Sequence, residues 1–215
     1  MSDLNGLAQM VIKGDYAGAK SLTQQLIDHG VDPLEIISQG LMAGMNVVGV
    51  RFKSGEMFVP EVMMSAKAMS TGIELVKPLI ADKDMPSAGK VLIGTVKGDL
   101  HDIGKKLVVM MLESAGFEII DLGVDIEPAA FVKAVREHKP QVIGMSALLT
   151  TTMLSMKDTI DILKEEGLRD TVKIMIGGAP ISHEFATQIG ADGYAPDAAA
   201  ATELCLSLLS ARNSD

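Results

Sequence analysis

The chain has little cysteine, no long apolar run and no excess of positive charge. Its single cysteine, Cys205, cannot form an internal disulfide, which fits a reducing compartment. The apolar runs end well short of the roughly 20 residues that cross a bilayer, and the N-terminus MSDLNGLAQM lacks the pattern of a secretion signal. The net charge of −9 disfavours polyanions as partners. We therefore expect a cytoplasmic protein that binds neither membranes nor nucleic acids.

The first 80 residues carry apolar positions at helical spacing and show no strand pattern. Stripes over residues 7–12 and 19–27 predict two helices. Asp32 and Pro33 suit the N-cap and first position of a third helix, and a fourth is expected to start near Pro60. These helices predict a four-helix bundle that forms a cap domain over residues 1–80.

The pattern changes type in the middle of the chain. Residues 81–89, ADKDMPSAG, break the apolar period with charge, proline and glycine, as an interdomain linker does. Over residues 90–215, amphipathic helices alternate with five β-rich runs: VLIGTV, FEIIDL, VIGMS, KIMIGG and GYA. Five rounds of strand and helix predict an α/β domain of the flavodoxin-like or Rossmann-like kind, with a five-stranded parallel sheet.

Ligands of such sheets bind in the loops at the carboxyl ends of the strands. The loop after the first predicted strand contains Asp99-x-His101-x-x-Gly104, which places an imidazole close to a carboxylate. That spacing suits a metal-ligating histidine whose second nitrogen donates to the carboxylate, although a single loop histidine is more often a surface or capping residue. A phosphate-binding P-loop is disfavoured, because no serine or threonine follows Lys105.

Two further loops favour the ligand interpretation. Ser146-x-Leu148 follows the third predicted strand, and Gly177-Gly178 follows the fourth. With these three motifs in order, the chain resembles the cobalamin-binding domain of methionine synthase. It resembles more closely the short corrinoid proteins of anaerobic methyl-transfer systems for methylamines, methanol, betaines and methoxylated aromatics. The resemblance continues into the helical half, at residues 55–61, GEMFVPE.

The resemblance implies a cofactor and residues that hold it. The cofactor is cobalamin or a related corrinoid, with its cobalt passing between the methylcobalamin and cob(I)alamin forms. His101 is the implied lower ligand of the cobalt, in place of the cofactor's own benzimidazole, and Asp99 orients it. Thr152 stands where the methionine synthase pattern has a serine. The implied cofactor-binding residues are Asp99, Leu100, His101, Asp102, Ile103, Gly104, Ser146, Leu148, Thr150, Gly177, Gly178 and Ala198.

The same resemblance implies how the chain works. The helical domain would shield the cobalt, with Phe58 over the methyl group; ordinary core packing is the alternative for Phe58. Most of Met63, Met64 and Met69 are expected to fill the core. The implied function is a methyl carrier between a substrate-specific methyltransferase and an acceptor methyltransferase, with a reductive activator as a further partner. Such a corrinoid subunit serves anaerobic one-carbon metabolism, has no catalytic residues of its own and does not turn over alone.

Three alternatives share parts of this pattern. The cobalamin-binding subunit of an adenosylcobalamin-dependent mutase has the same Asp-x-His-x-x-Gly loop, but the helical cap favours methyl transfer. A cobalamin-dependent sensor that controls transcription would need a DNA-binding module, for which no basic segment is spare. A corrinoid-free flavodoxin-like signalling module would lack the colour of the cofactor.

Overall fold

The computed structural model describes residues 3–80 and 87–212. The chain divides into two compact units, a helical one that ends at Ser87 and a sheet unit that begins at Ala88. The predicted linker falls largely on residues 81–86, which lie outside the described residues, and the first strand starts at Gly89. Within the described ranges, no helix is both long and apolar enough to cross a membrane.

The helical unit follows the predicted order of helices. Its elements are α1 (Leu4–Lys13), α2 (Tyr16–Asp28), α3 (Pro33–Glu35), a π-helix (Ile36–Met42), α4 (Ala43–Lys53), α5 (Val59–Val76) and a 3₁₀ turn (Lys77–Leu79). Asp32 is the predicted N-cap, and its carboxylate accepts a hydrogen bond from the Leu34 amide at 2.7 Å. Side-chain caps of this kind satisfy amides that have no partner inside the helix. The helical N-terminal region expected from the sequence is confirmed.

Helix α1 lies at the centre of this unit and contacts α2, the π-helix, α4 and α5. Helix α5 buries one stripe that includes Val62, Ala66 and Met69. Met63 and Met64 lie outside that stripe and are 50% and 43% exposed. The prediction that these methionines mostly fill the core is therefore right for Met69 and wrong for the other two.

The π-helix was not predicted. The sequence suggests one uninterrupted third helix, but its first turns widen over Ile36–Met42 before the α-helical pattern resumes. Ile36, Ile37 and Leu41 remain buried in the wider turns. The apolar spacing did not indicate the wider turns, because Ile37 and Leu41, which the pattern assigns to the core, are buried in them as an α-helix would also require.

The sheet unit alternates strands and helices along the chain. The strands are β1 (Gly89–Thr95), β2 (Phe117–Asp121), β3 (Val142–Ser146), β4 (Lys173–Gly177) and β5 (Gly193–Ala195). The helices are α6 (Ile103–Ser114), α7 (Pro128–His138), α8 (Leu154–Glu165), α9 (His183–Ile189) and α10 (Ala198–Arg212). All strand pairs are parallel, in the order β2-β1-β3-β4-β5. The predicted five-stranded parallel sheet is confirmed.

Strand β1 lies between β2 and β3, so the order of strands reverses at β1. The core of the unit includes buried side chains from three strands, together with Phe131 and Met156 from the helices that pack on them. Consecutive strands in this order need helical crossovers, and burial on both faces explains why the strands are almost continuously apolar. The reversal places the loops after β1 and β3 side by side, where the site is expected.

Candidate cofactor site

The carboxyl ends of β1, β3 and β4 are aligned in the sheet. Thr95 pairs with Ser146, and Ser146 pairs with Gly177, so these three strands end at one level. The loops that carry the three sequence motifs therefore start next to one another. The expectation that they share one edge of the sheet is met.

Asp99 and His101 form the centre of this edge. The His101 ring nitrogen Nδ1 lies 2.8 Å from Asp99 Oδ1, and the His101 backbone amide donates to the same oxygen at 3.0 Å. An ionised carboxylate can only accept, so Nδ1 carries the hydrogen in this contact, and Nε2 is the ring nitrogen that remains for a ligand. The Asp99 side chain is fully buried, whereas the His101 side chain is 52% exposed. The contact with Asp99 orients the ring and leaves Nε2 on the opposite side of it.

The second oxygen of Asp99 binds the loop after β3. Thr152 Oγ1 and the Leu148 amide each donate to Oδ2 at 2.7 Å, and the Leu149 amide donates at 3.3 Å. Burial alone would raise the pKa of Asp99. The hydrogen bonds from Thr152, from the amides of His101 and Leu148, and from the His101 ring outweigh burial and hold the pKa well below its ordinary value. Asp99 is therefore ionised at neutral pH.

Exposed apolar side chains flank the histidine in its loop and also occur in the neighbouring loop after β3. Leu100 is 70% exposed and Ile103 is 86% exposed, on either side of His101 in the loop. Leu148, whose amide binds Asp99, is 43% exposed. Large exposed apolar side chains gathered around one polar group are typical of a ligand surface. The surface suits a broad, largely apolar ligand with a metal at its centre.

The ligand chemistry restricts the kind of metal group that fits. Among residues 3–80 and 87–212, no three His, Cys, Asp or Glu side chains gather where they could hold a metal ion. A metal bound to His101 Nε2 would have to bring most of its own ligands, as the metal of a macrocycle does. The residues present therefore fit a corrinoid better than a free metal ion.

The glycine pair at the end of β4 has a structural reason that the sequence did not reveal. Gly178 has a φ of +126°, and a Cβ atom there would lie 1.8 Å from the Ala147 carbonyl oxygen. A Cβ at Gly177 would lie 3.0 Å from the Ala195 carbonyl oxygen. Close approach to neighbouring backbone therefore accounts for glycine at Gly178 without any ligand.

The remaining predicted residues lie at the ends of elements. Gly104 is exposed in the first turn of α6, and Asp102, just before that helix, pairs with Lys106 at 2.6 Å. Thr150 is exposed, Ser146 is half-buried at the end of β3, and Ala198 is buried at the start of α10.

Phe58 belongs to the helical unit. It precedes α5, is 67% exposed, and its amide donates to Glu61 Oε2 at 2.8 Å. The alternative that Phe58 packs in the core is therefore wrong. Val59 and Met63 are exposed on the same helix, which gives this unit its own apolar surface.

The loop after β2 was not predicted to be part of the site, because only the loops after β1, β3 and β4 carry the three motifs. In that loop, Asp125 Oδ1 accepts a hydrogen bond from the Gly98 amide at 2.7 Å. The rule that ligands gather at strand ends would have drawn attention to this loop, but nothing in its residue types distinguishes Asp125 from an ordinary turn residue.

Comparison with known proteins points to a corrinoid as the cofactor. Family models described as B12 binding domain match residues 89–203 and 3–77. A corrinoid protein of Desulfitobacterium hafniense is 46% identical over 97% of this chain and 98% of its own length. Dimethylamine corrinoid protein 1 of Methanosarcina acetivorans is 50% identical over 83% of this chain and 84% of its own length.

Solved structures agree as well. The methanol:cobalamin methyltransferase complex of Methanosarcina barkeri contains a chain that is 33% identical with a TM-score of 0.88, covering 96% of this chain and 79% of that one. A cobalamin-binding protein of Desulfitobacterium hafniense gives a TM-score of 0.79 at 33% identity, over 97% of this chain and 99% of that one. The sequence and the fold together show that this chain belongs to the family of corrinoid proteins built on a B12 binding domain.

Proposed function

We propose that this protein is a corrinoid methyl carrier that binds cobalamin with the benzimidazole detached and with His101 as the lower ligand of the cobalt. The observation that carries the proposal is the Asp99–His101 pair, in which Nδ1 contacts Asp99 and Nε2 remains for a ligand, in a loop with exposed apolar side chains. When bound, the corrinoid supplies the cobalt that accepts and releases the methyl group. The relatives favour this function over an adenosylcobalamin-dependent mutase.

Asp99 orients the ring and sets its tautomer. Carboxylate partners of ligating histidines hold the hydrogen on the distal nitrogen and raise the basicity of the ligating one. Here the carboxylate is itself fixed by Thr152 and the Leu148 amide, both at 2.7 Å. The rotation of His101 is therefore restricted by groups from two loops before any cofactor arrives.

The other predicted residues divide into two sets. Leu100, Ile103 and Leu148 would contact the apolar lower face of the macrocycle, and their exposure supports this role. For the detached tail we propose the polar and small residues of the neighbouring loops. They are Asp102, Gly104, Ser146, Thr150, Gly177, Gly178 and Ala198.

For the helical unit we propose protection of the cobalt, with Phe58 as the residue that shields the methyl group. The exposure of Phe58, Val59 and Met63 supports this role. Large apolar side chains that are exposed close together in a folded protein are typical of a surface that binds another molecule or domain.

The proposed partners are a substrate-specific methyltransferase, an acceptor methyltransferase and a reductive activator. Relatives named for dimethylamine and monomethylamine, and a likeness to the methanol:cobalamin methyltransferase complex, support such partners. We propose a cytoplasmic location, which the single cysteine supports. The chain should not turn over alone, so sustained methyl transfer from donor to acceptor without a partner would contradict the carrier function.

The ligand assignment can be tested by electron paramagnetic resonance of the reconstituted Co(II) protein. Protein labelled with ¹⁵N-histidine should show altered nitrogen splitting, since the axial nitrogen comes from the chain. His101→Ala should lose that splitting, whereas His183→Ala, a control in the same unit, should keep it. Splitting that ignores the label, or that survives in His101→Ala, would show that His101 is not the ligand.

A further inference from the structure

The loop after β2 contacts the histidine loop through its backbone. The Asp125 amide donates to the Asp99 carbonyl at 3.0 Å, and the Gly98 amide donates to Asp125 Oδ1 at 2.7 Å. Next to these contacts, the Ile126 amide donates to the Thr95 carbonyl at 3.0 Å. The loop thus pairs with the chain from the end of β1 to Asp99.

Asp125 adopts a backbone conformation that needs an explanation. Its φ is +56°, and Lys139 is the one other non-glycine residue in the described ranges with a positive φ. Lys139 caps the end of α7, where left-handed residues are common. Asp125 caps no helix, so its conformation must be maintained by its surroundings, which is the situation found at functional sites.

The start of the same loop is anchored to α6. Asp121 Oδ1 accepts from the Gly123 amide at 2.9 Å and pairs with Lys105, whose ammonium group is buried. Lys105 lies in the first turn of α6, directly after the histidine loop. The start of the β2 loop is therefore tied to the first turn of α6, which directly follows the histidine loop.

We propose that Asp125 is a positioning residue for His101. The β3 loop holds the side chain of Asp99, and the Asp125 amide of the β2 loop holds its backbone carbonyl. Contacts from both loops therefore determine where the carboxylate and the imidazole lie. Gly98, with a φ of +79°, adopts a conformation that favours glycine, and Asp125 accepts a hydrogen bond from its amide. The inference rests on the proposed role of His101 as the cobalt ligand.

Three substitutions separate the hydrogen bond from the backbone conformation. Asp125→Asn keeps an acceptor oxygen and tolerates a positive φ. Asp125→Gly accepts the conformation without strain but removes the acceptor, and Asp125→Ala loses both. Lys139→Gly is the matched control, since it relieves the same kind of conformation at the end of α7, away from the loops after β1, β2 and β3.

The variants should be compared without and with cofactor. In the protein without cofactor, ¹⁵N nuclear magnetic resonance should show that the Gly98 amide loses its hydrogen-bonded shift in Asp125→Gly and Asp125→Ala. The ring nitrogens of His101 should then no longer report a single tautomer. Cobalamin affinity should fall about tenfold in these two variants, the lower end of the effect of removing partners of a metal ligand. Asp125→Asn and Lys139→Gly should remain close to wild type.

Two outcomes would overturn the inference alone. One is an Asp125→Gly protein that matches wild type in the His101 tautomer, the cobalamin affinity and the labelled-histidine splitting. The other is an Asp125→Asn protein that is as impaired as Asp125→Ala. A wild-type cobalt signal that ignores labelled histidine would instead overturn the proposed ligand, and this inference with it.

Discussion

Replacing Thr152 by valine should measure how much its hydrogen bond to the buried Asp99 carboxylate contributes to the stability of the sheet unit. The substitution preserves shape and removes the hydroxyl that donates to Asp99 Oδ2 at 2.7 Å. A hydrogen bond to a charged group contributes roughly 1.5–3 kcal/mol. The amides of Leu148 and Leu149 still reach that oxygen. We therefore expect the free energy of unfolding to fall by about 2 kcal/mol, which is roughly a 30-fold change in the opening equilibrium.

Amide hydrogen exchange in β3 is a suitable assay, because it reports the opening of the sheet unit by itself. The matched control is Thr159→Val, since the buried Thr159 hydroxyl bonds only a neutral carbonyl, that of Ser155, at 2.8 Å. It should cost about 1 kcal/mol or less. Thr152→Ser keeps the donor and should lose only about the 0.8 kcal/mol of one methyl group. Equal losses in Thr152→Val and Thr159→Val would refute the argument.

The loss of unfolding free energy in Thr152→Val should also depend on pH. The pKa of Asp99 is lower in the folded protein than in the unfolded chain, where it is about 3.9. The carboxylate therefore contributes stability that is complete above that unfolded-state value and is lost as the pH falls toward the folded-state pKa. The difference between Thr152→Val and wild type should be constant near neutral pH and should shrink only at strongly acidic pH.

Three further predictions concern positions away from His101. Cys205, whose pKa burial raises to about 12, should react with iodoacetamide at pH 8 about 100-fold more slowly in the folded than in the urea-unfolded protein; equal rates would contradict its burial. Thr23 Oγ1 is buried with no hydrogen-bond partner among the described residues. Thr23→Val removes this unpaired hydroxyl and should raise the free energy of unfolding by about 1 kcal/mol, measured by urea unfolding. A variant that is less stable than wild type would refute this. Gly178→Ala should cost more than about 3 kcal/mol, because its Cβ would collide with the Ala147 carbonyl. As a control, a Cβ at Gly104 would meet no atom within 4 Å, so Gly104→Ala should change the free energy of unfolding by less than about 1 kcal/mol in the same assay.

Much of the architecture could be predicted because it depends on local patterns. The alternation of strands and helices after Lys90 predicts a parallel sheet, and the strand-end rule brings Asp99, Ser146 and Gly177 to one edge. The spacing of Asp99 and His101 predicts a contact that the structure contains at 2.8 Å.

The features that were missed depend on non-local contacts or on backbone conformation. Met63 and Met64 are exposed because the buried stripe of α5 passes beside them, and composition does not reveal that boundary. The positive φ of Asp125 has no signature in residue type, since aspartate is common in ordinary turns. The glycine at Gly178 could be expected, but not its reason, which is the Ala147 carbonyl at the start of the loop after β3.

The division of the two Asp99 oxygens between distant loops has a consequence for the order of events in folding. Oδ1 meets a residue two positions away, whereas Oδ2 meets Leu148 and Thr152, which are 49 and 53 residues further along the chain. Contacts of such separation form late, because a long loop must close first. A nascent chain that has reached only β2 contains the whole Asp-x-His motif but not the groups that immobilise it. With His101 as the proposed ligand of the cobalt, the chain would hold its cofactor firmly only after β3 has joined β1, so loading would follow formation of the sheet.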